Sequence, residues 1–222
     1  MKTAFAVLIG IGIGSFALAA EESLDPAVPA AKPALLSPIA RVGNYEKWFC
    51  TGARIAGTNY VLTAGHCLED ETSFRVQPEG GEPLVARLAA ISLASSGLED
   101  WALVEIEPGI EWPGATLRCS PEALPVGTEI SAAGYPGFIG TFVTSWGRIS
   151  APPSVIRFSP WTWPVYTAQM PVAPGDSGGP VFAPDGRVFA IMVGYSAVQP
   201  SWSQLQPVTG PICAALHLED KT

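Results

Sequence analysis

The sequence predicts an all-β protein built as two packed six-stranded antiparallel β-barrels, and three observations point there. First, 222 residues, 48% of them hydrophobic and 14% charged, can bury a sizeable core within the size range of one all-β unit. Second, 23 glycines and 22 prolines punctuate short apolar runs, which is how a β protein with many turns reads. Third, those runs fall into two sets of six, separated by the turn-rich stretch 107–127, "EPGIEWPGATLRCSPEALPVG". Two six-strand sets joined by one crossover fit a pair of closed barrels.

The elements follow in order. Residues 1–20 carry Lys2, an apolar stretch over 4–14, and the small residues Ala17 and Ala19 ahead of Glu21 and Glu22. This is the layout of a secretory signal peptide, cleaved after Ala19 or Ala20. The apolar run reaches about 18 residues, short of the ~20 of a spanning helix, so an exported chain with no stable membrane insertion after cleavage is expected. Residues 21–37, rich in Pro and Ala, read as an extended spacer or a propeptide. The first barrel is assigned to 38–120, with strands near 38–43, 48–55, 60–67, 73–78, 83–92 and 100–106. The second is assigned to 121–222, with strands near 128–136, 141–150, 164–171, 179–184, 187–196 and, as the twelfth, "ICAALHL" at 212–218. Turn signals such as Pro184-Asp185-Gly186 separate neighbours. A net charge of −8 without a Lys/Arg cluster argues against nucleic acid or an anionic membrane as partner.

Three short stretches carry chemistry. His66 sits in "LTAGHC" (62–67), Asp100 opens the apolar strand in "LEDWALVEI" (98–106), and Ser177 lies in "PGDSGGPVF" (174–182). A lone histidine is usually structural and a lone aspartate usually a cap or turn residue. Together they supply what acyl transfer needs. A serine hydroxyl is a poor nucleophile unless a base lies within hydrogen-bond reach, and His66 can take its proton and return it to a leaving amine. A buried carboxylate, Asp100, would hold the imidazole in the right tautomer. The glycines around Ser177 let backbone approach closely, so that the N–H groups of Gly175 and Ser177 can meet a developing oxyanion. Asp176 is expected to point inward and fix that loop.

"TAGHC", "DWALVEI" and "GDSGGP", in that order, resemble the chymotrypsin/trypsin-like serine proteases. "VGTEISAAGYPG" (126–137) is similar to the opening of the second barrel in compact bacterial members such as glutamyl endopeptidases. The order His, Asp, Ser separates this family from subtilisins and α/β-hydrolases. The resemblance implies an active site in the cleft between the barrels, catalytic His66, Asp100 and Ser177, and an oxyanion hole from Gly175 and Ser177. It implies a serine endopeptidase acting on protein or peptide substrates through an acyl-enzyme, with no metal or other cofactor; a monomer is expected. Four cysteines fit an oxidising, exported setting but allow three pairings that spacing does not choose between. The resemblance favours Cys50–Cys67 and Cys119–Cys213. Zinc is the competing use of cysteine, and the spacing lacks its CxxC signature.

The chain also departs from that family. Six residues before the nucleophile, where trypsin-like members carry an acid that binds Arg or Lys, stands Pro171, and no acid occurs from 167 to 175. The specificity pocket is assigned to Pro171, Val172, Met192, Val193 and Tyr195, with a small or apolar residue expected before the scissile bond. No Ile-Val-Gly-Gly end is present to pair with Asp176, so another donor is expected to hold that carboxylate. Two other classes compete: a non-catalytic binding module on a protease-like fold, and an esterase or acyl transferase on the same scaffold. Trp161 and Trp163 read as a packed surface loop, and His217 as structural.

Overall fold

The computed structural model describes residues 38–217, except 72, 94, 96, 97, 121, 139, 156–162 and 196–200. The signal peptide, the spacer and Trp161 of the sequence reading lie outside the described residues. The first barrel comprises β1 (Ile39–Gly43), β2 (Trp48–Arg54), β3 (Tyr60–Thr63), β4 (Phe74–Pro78), β5 (Leu84–Ser92) and β6 (Trp101–Ile106). It closes antiparallel in the order β1-β2-β3-β6-β5-β4. The second barrel comprises β7 (Glu129–Gly134), β8 (Val143–Ser154), β9 (Val165–Gln169), β10 (Pro180–Phe182), β11 (Val188–Tyr195) and β12 (Trp202–Pro207). It repeats the same path as β7-β8-β9-β12-β11-β10. Closure leaves no open sheet edge in either barrel.

The β11 strand explains how the barrels pack. A strand with one wet face should alternate, yet β11 is buried along its first six residues. Val188, Ile191 and Val193 join the core that holds the first barrel, whereas Phe189, Ala190 and Met192 join the second-barrel core. Both faces are covered because the barrels meet there. The crossover adds single parallel bridges to each barrel, Ile55 with Ala115 and Leu117 with Val188. The Cys119–Cys213 disulfide, Cα atoms 6.0 Å apart, then ties the crossover to the C-terminal segment.

One expected element differs. The twelfth strand is β12, not "ICAALHL"; that segment contributes to helix α1 (Gly210–Ala215) instead. Pro211 opens the helix, where a missing N–H costs nothing. His217, at φ 54°, follows it in the left-handed conformation common just past a helix end. In β12 the exposed residue is Trp202 and the buried ones include Ser203 and Gln206, so the hydropathy alternation that would mark this strand is inverted.

Candidate active site

His66 lies on a single 3-10 turn, Gly65–Cys67, that follows β3. The turn presses against the ends of β5 and β6: a Cβ on Gly65 would collide with the Ser92 carbonyl and come within 3.0 Å of Asp100 Oδ1. Glycine there lets the backbone come close enough for Asp100 to grip His66 twice. Asp100 Oδ1 accepts the His66 backbone N–H at 2.8 Å, and Oδ2 lies 2.7 Å from Nδ1. A carboxylate accepts only, so Nδ1 carries the proton and Nε2 is the basic nitrogen. Asp100 is fully buried, while the His66 side chain is 32% exposed: the carboxylate is dry and the imidazole reaches solvent. The Asp100 N–H donates to Gln206 Oε1 of the second barrel at 3.3 Å. The Cys50–Cys67 disulfide anchors the turn to β2. Cys50, His66 and Cys67 converge within 4.8 Å, but the two sulfurs are bonded to each other and offer no thiolate to a metal.

Ser177 is carried by the loop between β9 and β10. A cavity of about 350 Å³ is lined by His66, Gly175 and Ser177 together with Phe49 and the Cys50–Cys67 bridge. A second cavity, about 260 Å³, meets it at Pro174 and Ser177; Val172, Ala173, Met192, Val193, Gly194 and Tyr195 complete its walls. The structure thus brings His66, Gly175 and Ser177 to one cleft, and Val172, Met192, Val193 and Tyr195 to the adjoining pocket. Pro171 is exposed and does not line that pocket; Ala173, Pro174 and Gly194, not singled out from sequence, take part instead. A further cavity of about 380 Å³ is lined in part by Glu99, Arg118, Tyr166 and Thr209, and there the Thr209 hydroxyl donates to Glu99 Oε2 at 2.9 Å.

The loop around Ser177 is held from several sides. Gly175 has φ 104° and Gly178 φ 80°, conformations in which glycine alone is unstrained. A Cβ on Gly178 would also collide with Thr63 Oγ1 and the Thr51 carbonyl. The Asp176 carboxylate is buried and accepts the Ala173 N–H at 2.9 Å. Gly134 leaves the room for it, since a Cβ there would lie 2.6 Å from Asp176 Oδ1. Burial pushes the Asp176 pKa up to about 6, against the lowering effect of that hydrogen bond. Among the described residues no cation pairs with it. Among the described residues neither the Gly175 N–H nor the Ser177 N–H donates to a protein acceptor.

Comparison with known proteins is consistent across sequence and structure. The family model for the trypsin-like peptidase domain matches residues 50–191. A protein of Halomonas elongata named "Probable periplasmic serine endoprotease DegP-like" is 30% identical over 141 residues; these make up 64% of this chain and 28% of that protein. The active form of the Rv3671c protease from M. tuberculosis superposes with a TM-score of 0.67 at 24% identity, covering 89% of this chain and 88% of the other. The HtrA-type protease AlgW with a tripeptide superposes with a TM-score of 0.68 at 20% identity, covering 82% and 58%. At such identities the structural likeness speaks for the fold.

Proposed function

Because this chain belongs to the trypsin-like peptidase family, we propose that it is an exported serine endopeptidase whose nucleophile is Ser177, with His66 as base and Asp100 as orienting carboxylate. The observation that carries this reading is the pair of hydrogen bonds that His66 donates to Asp100, in a cleft that His66 shares with Ser177. Ser177 Oγ attacks the carbonyl carbon of the scissile bond while His66 Nε2 takes the hydroxyl proton. The imidazolium that results is stabilised by buried Asp100. The oxyanion accepts hydrogen bonds from the Gly175 and Ser177 N–H groups, each worth about 3 kcal/mol of barrier in such sites. Collapse breaks the C–N bond, and His66 returns the proton to the amine. Water then adds to the acyl ester by the same route, releasing the acid and restoring Ser177.

Among the described residues the walls of the second cavity hold no acid, and apart from the Ser177 and Tyr195 hydroxyls their side chains are apolar. This supports a small or medium apolar residue before the scissile bond and disfavours Arg or Lys. Export is supported by the signal-like residues 1–20, by two disulfides and by the periplasmic setting in the Halomonas relative's name. Among the described residues no helix is long and apolar enough to cross a membrane. A diverse peptide library incubated with wild type and Ser177→Ala tests the proposal. Cleavage after apolar residues by wild type alone is expected; an uncut library, or equal cleavage by both proteins, would refute it.

A further inference from the structure

We propose that Thr51 is a positioning residue for the oxyanion hole, acting by holding two carbonyls of the loop away from the cleft. Thr51 follows Cys50 on β2 and is fully buried. Its hydroxyl has one proton to give. The Tyr135 N–H donates to Oγ1 at 3.1 Å, so the hydroxyl proton goes to the Gly175 carbonyl, 2.8 Å away. The Thr51 backbone N–H donates to the Ser177 carbonyl at 2.8 Å. One residue of the first barrel therefore grips the second-barrel loop on either side of Asp176.

Peptide planarity turns these contacts into a direction. In a trans peptide the C=O and N–H point opposite ways, so a carbonyl drawn toward Thr51 sends the following N–H away from it. After Gly175 the next amide, Asp176 N–H, donates to the Ala173 carbonyl at 3.1 Å; after Ser177 the next, Gly178 N–H, donates to the Met192 carbonyl at 2.7 Å. The intervening carbonyls are held as well: Pro174 accepts from the Gly137 N–H at 2.6 Å and Asp176 from the Gly179 N–H at 2.8 Å. From Gly175 to Gly178 the amides consequently alternate, and among the described residues those of Gly175 and Ser177 have no protein acceptor while those of Asp176 and Gly178 do. Tyr135 makes a firm support for this arrangement, since its ring packs edge-on against Phe142 at 5.6 Å and under the Arg41 guanidinium at 5.7 Å.

Without the hydroxyl, the Gly175 carbonyl is left buried and without its donor, an expensive state. Gly175 is also the residue best able to rotate out of it, because glycine crosses φ/ψ space with little steric penalty. Rotation of that peptide relieves the carbonyl, breaks the Asp176 N–H bond to the Ala173 carbonyl, and frees the Gly175 backbone to turn its own N–H from the cleft. The effect belongs to the transition state, where the oxyanion forms, and not to substrate binding in the adjoining pocket.

Thr51→Val keeps the shape and removes the hydroxyl, whereas Thr51→Ser keeps it. The inference rests on the serine mechanism proposed above. The test compares kcat and KM on a peptide substrate. It also compares binding of a peptide aldehyde, whose adduct with Ser177 carries an oxyanion, with binding of the same peptide as an amide. Thr51→Val is expected to lower kcat and aldehyde affinity by roughly ten- to a hundredfold, with KM and amide binding changed by less than about twofold. Thr51→Ser is expected to stay within about threefold of wild type on every measure. A Thr51→Val protein as active as wild type, or a Thr51→Ser protein as impaired as Thr51→Val, would overturn the assignment. Should Thr51→Val lose its cooperative melt, Thr51→Ala against Thr51→Ser makes the same comparison. A wild-type protein that cleaves nothing would overturn the mechanism and this inference together, whereas a cleaving wild type matched by Thr51→Val overturns the inference alone.

Discussion

Asp176→Asn separates the charge of a carboxylate buried beside Ser177 from everything else that residue does. Asp176 is 8% exposed, accepts one backbone N–H, and has its pKa raised by burial from 3.8 to about 6. Between those two values the unfolded chain has released the proton while the folded protein keeps it. This group's contribution to stability is therefore full below pH ~4, falls as pH rises toward ~6, and is flat beyond. A tenfold change in proton affinity is worth ~1.4 kcal/mol, so the ionised group costs the fold about 3 kcal/mol at pH 8 relative to pH 3. Asparagine does not titrate, and any fixed gain or loss from its amide is the same at every pH. Denaturant unfolding of the disulfide-bonded proteins from pH 3.5 to 8 should find the stability difference moving by about 3 kcal/mol in favour of Asp176→Asn, roughly 6–12 °C in melting temperature. Parallel pH profiles for the two proteins would refute the reasoning, because they would mean that Asp176 keeps an ordinary pKa in the folded state.

Other perturbations follow from the same geometry. Gly178→Ala puts a methyl group against Thr63 Oγ1 and the Thr51 carbonyl at φ 80°. It should abolish fluorophosphonate labelling, whereas Gly186→Ala, at φ 78° in open space, should label at the wild-type rate and lose only about 1 kcal/mol. Asp100→Asn should leave the fold intact and reduce kcat about 10⁴-fold, as expected when the imidazole loses its correct tautomer; a loss under tenfold would remove Asp100 from the mechanism. Replacing Cys50 and Cys67 with serine opens a link between residues 17 apart in sequence. It should lower unfolding free energy by about 3 kcal/mol, measured by chemical denaturation, and loosen the turn that carries His66.

Much of the barrel architecture was legible because its signals are local. Residues 38–106 alternate short β-rich runs with turn residues, and each run becomes a strand of the first barrel. The site motifs were legible for a related reason. "TAGHC" and "GDSGGP" set a histidine and a serine among small residues, and those small residues answer to close approaches such as Gly65 against Asp100 and Gly178 against Thr63. Strand β12 was missed because Ser203 and Gln206 point inward, where they accept and donate hydrogen bonds across barrels and strands; polarity pattern alone reads such a segment as loop. Thr51 carries no local signal either. Its hydroxyl meets Gly175 across a sequence separation of 124 residues, and nothing in "FCTGAR" announces that partner. Pro171 was singled out by counting back six residues from Ser177, but the path of the 171–174 backbone leaves it exposed, while Val172, Ala173 and Pro174 line the cavity.

The most direct test of the central claim is chemical. The protein is treated with a fluorophosphonate, digested, and the modified residue is mapped by mass spectrometry, with and without prior His66→Ala substitution. A single adduct on Ser177 that forms in wild type and fails to form at a comparable rate in His66→Ala is the predicted result. An adduct on another residue, or Ser177 labelling that is indifferent to His66, would contradict the account.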